Sequence, residues 1–122
     1  MTGALAFGLA TSATAGEVDH YAPKKSETLA EAVANFAEYN GLLAEVLAKD
    51  ELTGADMERV HELTYTLEVA LAKINEHFSD LPVTLESLHL ASEARNAAKV
   101  RGVGEVYLET ADTVVPSEDA GM

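Results

Sequence analysis

The groups in this chain able to do chemistry are carboxylates and imidazoles, because it has no cysteine and only four histidines, His20, His61, His77 and His89. Two of these close the same short motif. Glu58-Arg59-Val60-His61 and Glu86-Ser87-Leu88-His89 each place a Glu and a His three residues apart, a spacing that points both side chains the same way on a helix. Two such motifs, with one further Glu from each of two neighbouring helices, make up the ligand set of a dinuclear metal site in a bundle. Glu31 or Glu38 and Glu105 or Glu109 are the candidates for the remaining pair. Two arguments oppose that site. If the helices carrying the motifs reverse around residues 80 and 81, His89 lies beside residue 72, about 11 residues or roughly 16 Å along the axis from His61. Each of the four residues also follows an apolar stripe position by one, which puts it on the flank of the stripe, where a Glu of an acidic protein is ordinarily solvated. Glu58 and His61 therefore rank below a second cluster.

That second cluster sits at one end of the expected fold. His77 closes the second helix, His89 faces the region of residue 72, and the turn near Asp50 returns the chain so that the arm Asp19-His20-Tyr21 leads into the same end. The expectation is a pole formed by His20, His77, Glu86 and His89, with Glu76 and Asp19 nearby. Neutral imidazoles with carboxylates suit a divalent transition metal such as Zn, Cu(II) or Ni. Taken singly, each histidine reads as a surface or cap residue. A haem finds no axial pair: a Met and a His must face each other from different helices at one height, yet Met57 shares a helix with His61, Met122 lies in the tail, and the last helix has no histidine. Gly102-Val103-Gly104 lacks the third glycine and the preceding strand of a nucleotide loop; a helix end or a close helix contact explains it. No Ser, His and acid set stands out, so catalysis is not expected.

Composition narrows the partners. The chain has 122 residues, with 21 acidic against 8 basic side chains and a formal charge of -13. Phosphate backbones and anionic membranes need clustered Lys and Arg, so nucleic acid is excluded as a partner. Without cysteine there are no disulfides, thiolate metal sites, iron-sulfur clusters or thiol nucleophiles. A hydrophobic fraction of 48% is that of an ordinary globular domain, and the length is that of one.

Residues Gly3 to Ala15 carry no charge and run from an apolar stretch, Ala4 to Ala10, into Ala13-Thr14-Ala15. This is the apolar core and A-x-A ending of a secretory signal, cleaved after Ala15, and it is too short to span a membrane. No Lys or Arg precedes the run, which reads as a start downstream of the native one. An exported, cysteine-free chain of this size points to a bacterial periplasm.

Residues 16–25 form an extended arm. Beyond it the pattern is helical throughout. Thr28 with Glu31, and Thr53 with Asp56, have capping-box spacing, which satisfies two free amides at a helix start. The first helix carries Leu29, Val33, Phe36, Asn40, Leu43 and Leu47 on one stripe and ends near Lys49. The second carries Met57, Val60, Thr64, Leu67, Leu71, Ile74 and Phe78 and stops around Ser79 or Asp80, because Pro82 disfavours helix at Leu81. Asn40 and Thr64 lie in the two stripes as a polar pair fixing register, and Thr64 is expected to bond back to the preceding turn. Leu85, Leu88 and Ser92 begin a third helix. A break at Asn96 then caps a fourth carrying Val100, Val103, Tyr107, Ala111 and Val114; the alternative runs the third helix on to Arg101, with Gly102 closing it. The fold class is all-α: a small antiparallel four-helix bundle with one short helix over residues 26–115, followed by a polar tail, 116–122.

The segments Asp19-His20-Tyr21, Ala48-Lys49-Asp50-Glu51-Leu52-Thr53, His61-Glu62-Leu63-Thr64-Tyr65-Thr66-Leu67-Glu68, Leu85 through Glu93 and Tyr107-Leu108-Glu109 resemble a family of small exported proteobacterial proteins classed only as a domain of unknown function. The likeness covers nearly the whole chain after the signal. It implies a signal peptide and a helical bundle, and it carries over no catalytic residue. In size and topology the chain is also similar to cytochrome b562-like bundles, in architecture only. Two functions follow as expectations. One is a non-enzymatic periplasmic module holding a metal ion or small cation at the histidine pole. The other is a protein-interaction or stress-adaptor bundle without metal, whose histidines are incidental or pH-sensing.

Overall fold

A computed structural model describes residues 22–118. The described chain is all-α, with four helical segments: α1 (Leu29–Leu47), α2 (Gly54–Phe78), α3 (Leu81–Glu93) and α4 (Ala97–Val114). Both capping boxes form. Thr28 Oγ1 accepts from the Glu31 amide at 3.1 Å while Glu31 Oε1 accepts from the Thr28 amide. Thr53 and Asp56 repeat the exchange at the start of α2. Each box satisfies amides that have no partner within the helix.

Asp56 is also held from outside its helix. Its buried carboxylate receives the Lys49 ammonium at 2.6 Å. That hydrogen bond, with the Thr53 amide, holds the carboxyl well below the usual carboxylate range, at about 2. The connection between α1 and α2 is thereby tied to the first turn of α2.

Helices α1 and α2 pack along each other, as do α3 and α4, so the chain is two antiparallel hairpins. The α2–α3 junction differs from the expected reversal. Ser79 and Asp80 are both right-handed helical, the Ser79 amide bonds back to the Asn75 carbonyl, and Pro82 falls in the first turn of α3. A proline there removes an amide that has no helical acceptor in any case. The chain therefore bends and runs on, α2 and α3 hardly touch, and His89 is not carried back beside residue 72.

The inward faces follow the hydrophobic stripes only in part: Leu29 and Ile74 are buried as expected, with Val33 and Phe36 packed beside them, but other stripe positions are not. In α1 the buried residues are Leu29, Ala32, Asn35 and Val46, and in α2 they are Asp56, Leu63, Thr66, Ala70 and Ile74. Asn40, Leu47, Met57 and Leu71 are exposed. The cause is residues 22–27, an irregular strap over the first hairpin. The Lys24 amide donates to Thr66 Oγ1 at 2.9 Å, and Asn35 Nδ2 donates to the Lys25 carbonyl and to Ser26 Oγ at 2.9 and 3.0 Å. Small and polar side chains, Ala32, Asn35, Thr66 and Ala70, thus share the seam with Leu29, Leu63 and Ile74, and the buried polar partners are Asn35 with Ser26, not Asn40 with Thr64. Thr64 does bond back along its helix, to the His61 carbonyl at 2.7 Å.

The second hairpin joins the first at one end. Leu29, Ala32, Ala70 and Ile74 form a core cluster against which Val33, Phe36 and, from the end of α4, Val114 pack. Asn96 caps α4 through Lys99, as the first of the two sequence readings expects. α3 ends in a Schellman turn: the Asn96 amide donates to the Ala91 carbonyl and the Arg95 amide to that of Ser92, with Arg95 left-handed at φ 57°. Among the described residues, no helix is long and apolar enough to cross a membrane.

Candidate functional site

His20 and its neighbours Asp19 and Tyr21 lie outside the described residues. The strap residue Lys24 is bound at Thr66, 11 residues from His77 and so about 16 Å up the helix from it. His77 is half-buried near the end of α2; Glu86 and His89 are exposed on α3. His89 Nε2 lies 2.9 Å from Glu93 Oε2, one turn along its own helix. Among the described residues, no three or more His, Asp or Glu side chains form a group that could hold a metal ion. The continuous bend at Ser79 and Asp80 is the reason His89 and His77 are not folded onto one pole. The two Glu-x-x-His motifs likewise stay apart, on α2 and α3. In the first, Glu58 is exposed and His61 is half-buried, its Nε2 3.0 Å from the Tyr65 hydroxyl and the two rings tilted 5.1 Å apart. Met57, the only described methionine, is exposed on α2.

What the structure does assemble lies on the second hairpin. Two helices alone can cover each other on one side only, and over α3 and α4 the sole buried residue is Ala91. The hairpin consequently exposes Val83 (73%), Leu90 (53%) and Val106 (56%) on one side, with Leu85 and Leu108 about half exposed elsewhere. An open trough of about 530 Å³ runs along the first side, lined by Val83, Thr84, Ser87, Lys99, Gly102, Val103 and Val106. The two glycines of the Gly-Val-Gly segment do different work there. A Cβ on Gly104 would stand 3.8 Å from Leu88, so Gly104 lies at the seam between α3 and α4, the close helix contact the sequence suggested. A Cβ on Gly102 would meet nothing within 4 Å, so Gly102, itself exposed, leaves a notch between the side chains of the trough lining.

The electrostatics of the trough are unlike those of the chain. Its lining contains no carboxylate and one cation, Lys99. Arg95 and Arg101 do not line it; with Ser92, Ala97 and Val100 they line a separate, smaller hollow. Sequence reasoning missed this face because its hydrophobicity is divided between two helices. The clue present was a glycine that no helix end requires.

Residues 1–116 match a family described as a family of unknown function, DUF6746. No curated protein matches the chain, and no solved structure does.

Proposed function

Because the chain belongs to the DUF6746 family, whose description carries no activity, we propose its function from its own geometry: it is an exported, periplasmic helical module that works by docking another polypeptide on its second hairpin, without catalysis. The observation that carries this reading is the trough, an apolar, carboxylate-free face in a chain of charge -13. Monomeric proteins rarely leave contiguous apolar surface uncovered, and such patches rimmed by polar residues mark interaction sites. Burying the exposed parts of Val83, Leu90 and Val106 yields roughly 1 kcal/mol each. An antiparallel helix pair offers a ready groove for further helices. Export rests on the uncharged segment ending Ala13-Thr14-Ala15, and the absence of cysteine fits a periplasmic chain built without disulfides.

The test is site-specific photo-crosslinking in cells. A photoreactive side chain at Val83 or Val106 gives polypeptide adducts, and the same group at exposed Glu58 on the first hairpin gives none. Equal or absent adduct formation at all three positions overturns the docking reading. Mass spectrometry of the native chain starting at Gly16 supports export; a chain retaining residues 1–15 in the cytoplasm removes it.

A further inference from the structure

We propose that the occupant of the trough is a second copy of this chain, so that two α3–α4 hairpins close into an intermolecular four-helix bundle; this rests on the docking reading above. Charge is the first argument. Two copies of charge -13 repel each other, and they can meet only where carboxylates are absent, as in the trough lining. A basic partner would be drawn by acidic side chains in the contact face, and this face has none. With Lys99 in its lining, the face suits an apolar partner surface that carries a carboxylate at its rim, which this chain supplies at the exposed Glu109.

Self-complementarity is the second argument. In a two-fold contact the same patch faces itself, and with the axis perpendicular to the helices α4 lies antiparallel to α4 of the other copy. With the axis near residue 104, facing positions sum to about 208. Val106, 56% exposed, then stands opposite Gly102, above which there is open space. Each copy inserts its Val106 into the notch of the other, twice over by symmetry. The same register sets Lys99 against Glu109, which is exposed one turn beyond Val106. One arrangement thus accounts for a notch that no contact within the chain fills and for the single cation of the lining.

Area sets the strength. Two helices about 20 Å long and together roughly 20 Å wide present about 400 Å² per copy before side-chain corrugation. The total buried is about 800 to 1,000 Å², at the low end for specific association. The dimer is therefore weak, in the micromolar range or above, and higher salt strengthens it by screening the net repulsion.

The experiment is sedimentation equilibrium of the purified chain from about 5 to 500 µM, at low and high salt, on native protein and three variants. Native protein shifts from monomer to dimer. Gly102→Leu fills the notch and weakens association at least tenfold while raising the melting temperature, because the new side chain meets no atom of its own chain and leucine favours helix. Lys99→Glu weakens it, and adding Glu109→Lys restores it. A native chain monomeric throughout this range overturns the proposal, as does a dimer indifferent to Gly102→Leu. If photo-crosslinking at Val83 or Val106 then yields adducts only with other polypeptides, the docking reading stands and the second copy is excluded; if it yields none, both fall.

Discussion

Replacing Asn35 by alanine tests the phase of the first hairpin. Asn35 is 5% exposed and its amide holds both the Lys25 carbonyl and the Ser26 hydroxyl, the latter on a residue that is 7% exposed. The variant loses two hydrogen bonds of about 1 kcal/mol each and leaves the Ser26 oxygen without its donor, a further cost of about 1 kcal/mol. Alanine's better helix propensity returns about 0.5 kcal/mol. The net destabilisation is about 2 to 3 kcal/mol, which for a domain of this size lowers the melting temperature by roughly 8 to 20 °C in calorimetry. The strap also loosens, so trypsin cleaves after Lys24 and Lys25 faster under native conditions. Asn40→Ala is the control: Asn40 is exposed on the same helix, and its replacement leaves the melting temperature level or slightly higher. The reasoning is refuted if Asn35→Ala melts within a degree of the native chain while Asn40→Ala is the damaging change.

Other outcomes follow from the same contacts. Arg95→Gly removes a left-handed non-glycine residue from the α3–α4 turn and stabilises by about 0.5 to 1 kcal/mol; an unchanged or lower melting temperature contradicts the turn. Leu63, fully buried, costs about 3 to 5 kcal/mol when cut to alanine, whereas Leu47→Ala, at an exposed site, costs under about 1 kcal/mol. Asp56 has its pKa lowered from 3.8 to about 2, so the folded state binds fewer protons than the unfolded state in that interval and stability rises with pH through it. The contribution is complete above about pH 4 and is lost as pH falls towards 2; Asp56→Asn should melt lower at neutral pH and show a flatter acid limb, and an identical limb in both proteins would falsify the Lys49–Asp56 account.

Local chemistry was legible in the sequence and long-range placement was not. Thr28 with Glu31, Thr53 with Asp56, and Asn96 ahead of Ala97 announce helix starts because a cap is an exchange among residues three apart, and all three appear in the fold. The stripes hold at Leu29 and Ile74 and fail at Asn40, Leu47, Met57 and Leu71, because hydropathy assigns the inward side to bulky residues alone, whereas Ala32, Asn35, Thr66 and Ala70 share the contact under a polar strap. Leu85, expected to open the buried stripe of α3, is 46% exposed, and Ala91 takes the inward place. Pro82 marks the end of α2, which closes at Phe78 with Ser79 as its cap, but no reversal follows from it, because a proline in a first turn permits the chain to continue. Every placement made across that junction, the pole of His77, Glu86 and His89 included, depended on a reversal. The trough required knowing which helices pair, since neither α3 nor α4 is carboxylate-free by itself.

The central claim is that the Val83–Val106 face is covered when the protein is at work. Carbene or hydroxyl-radical footprinting of the native chain in its own compartment, compared with dilute purified protein, measures this directly. Leu47 and Met57, exposed on the first hairpin, serve as internal references. The account predicts that labelling of Val83, Leu90 and Val106 falls severalfold in the compartment while the references are unchanged. Equal labelling of the two sets under both conditions would contradict it.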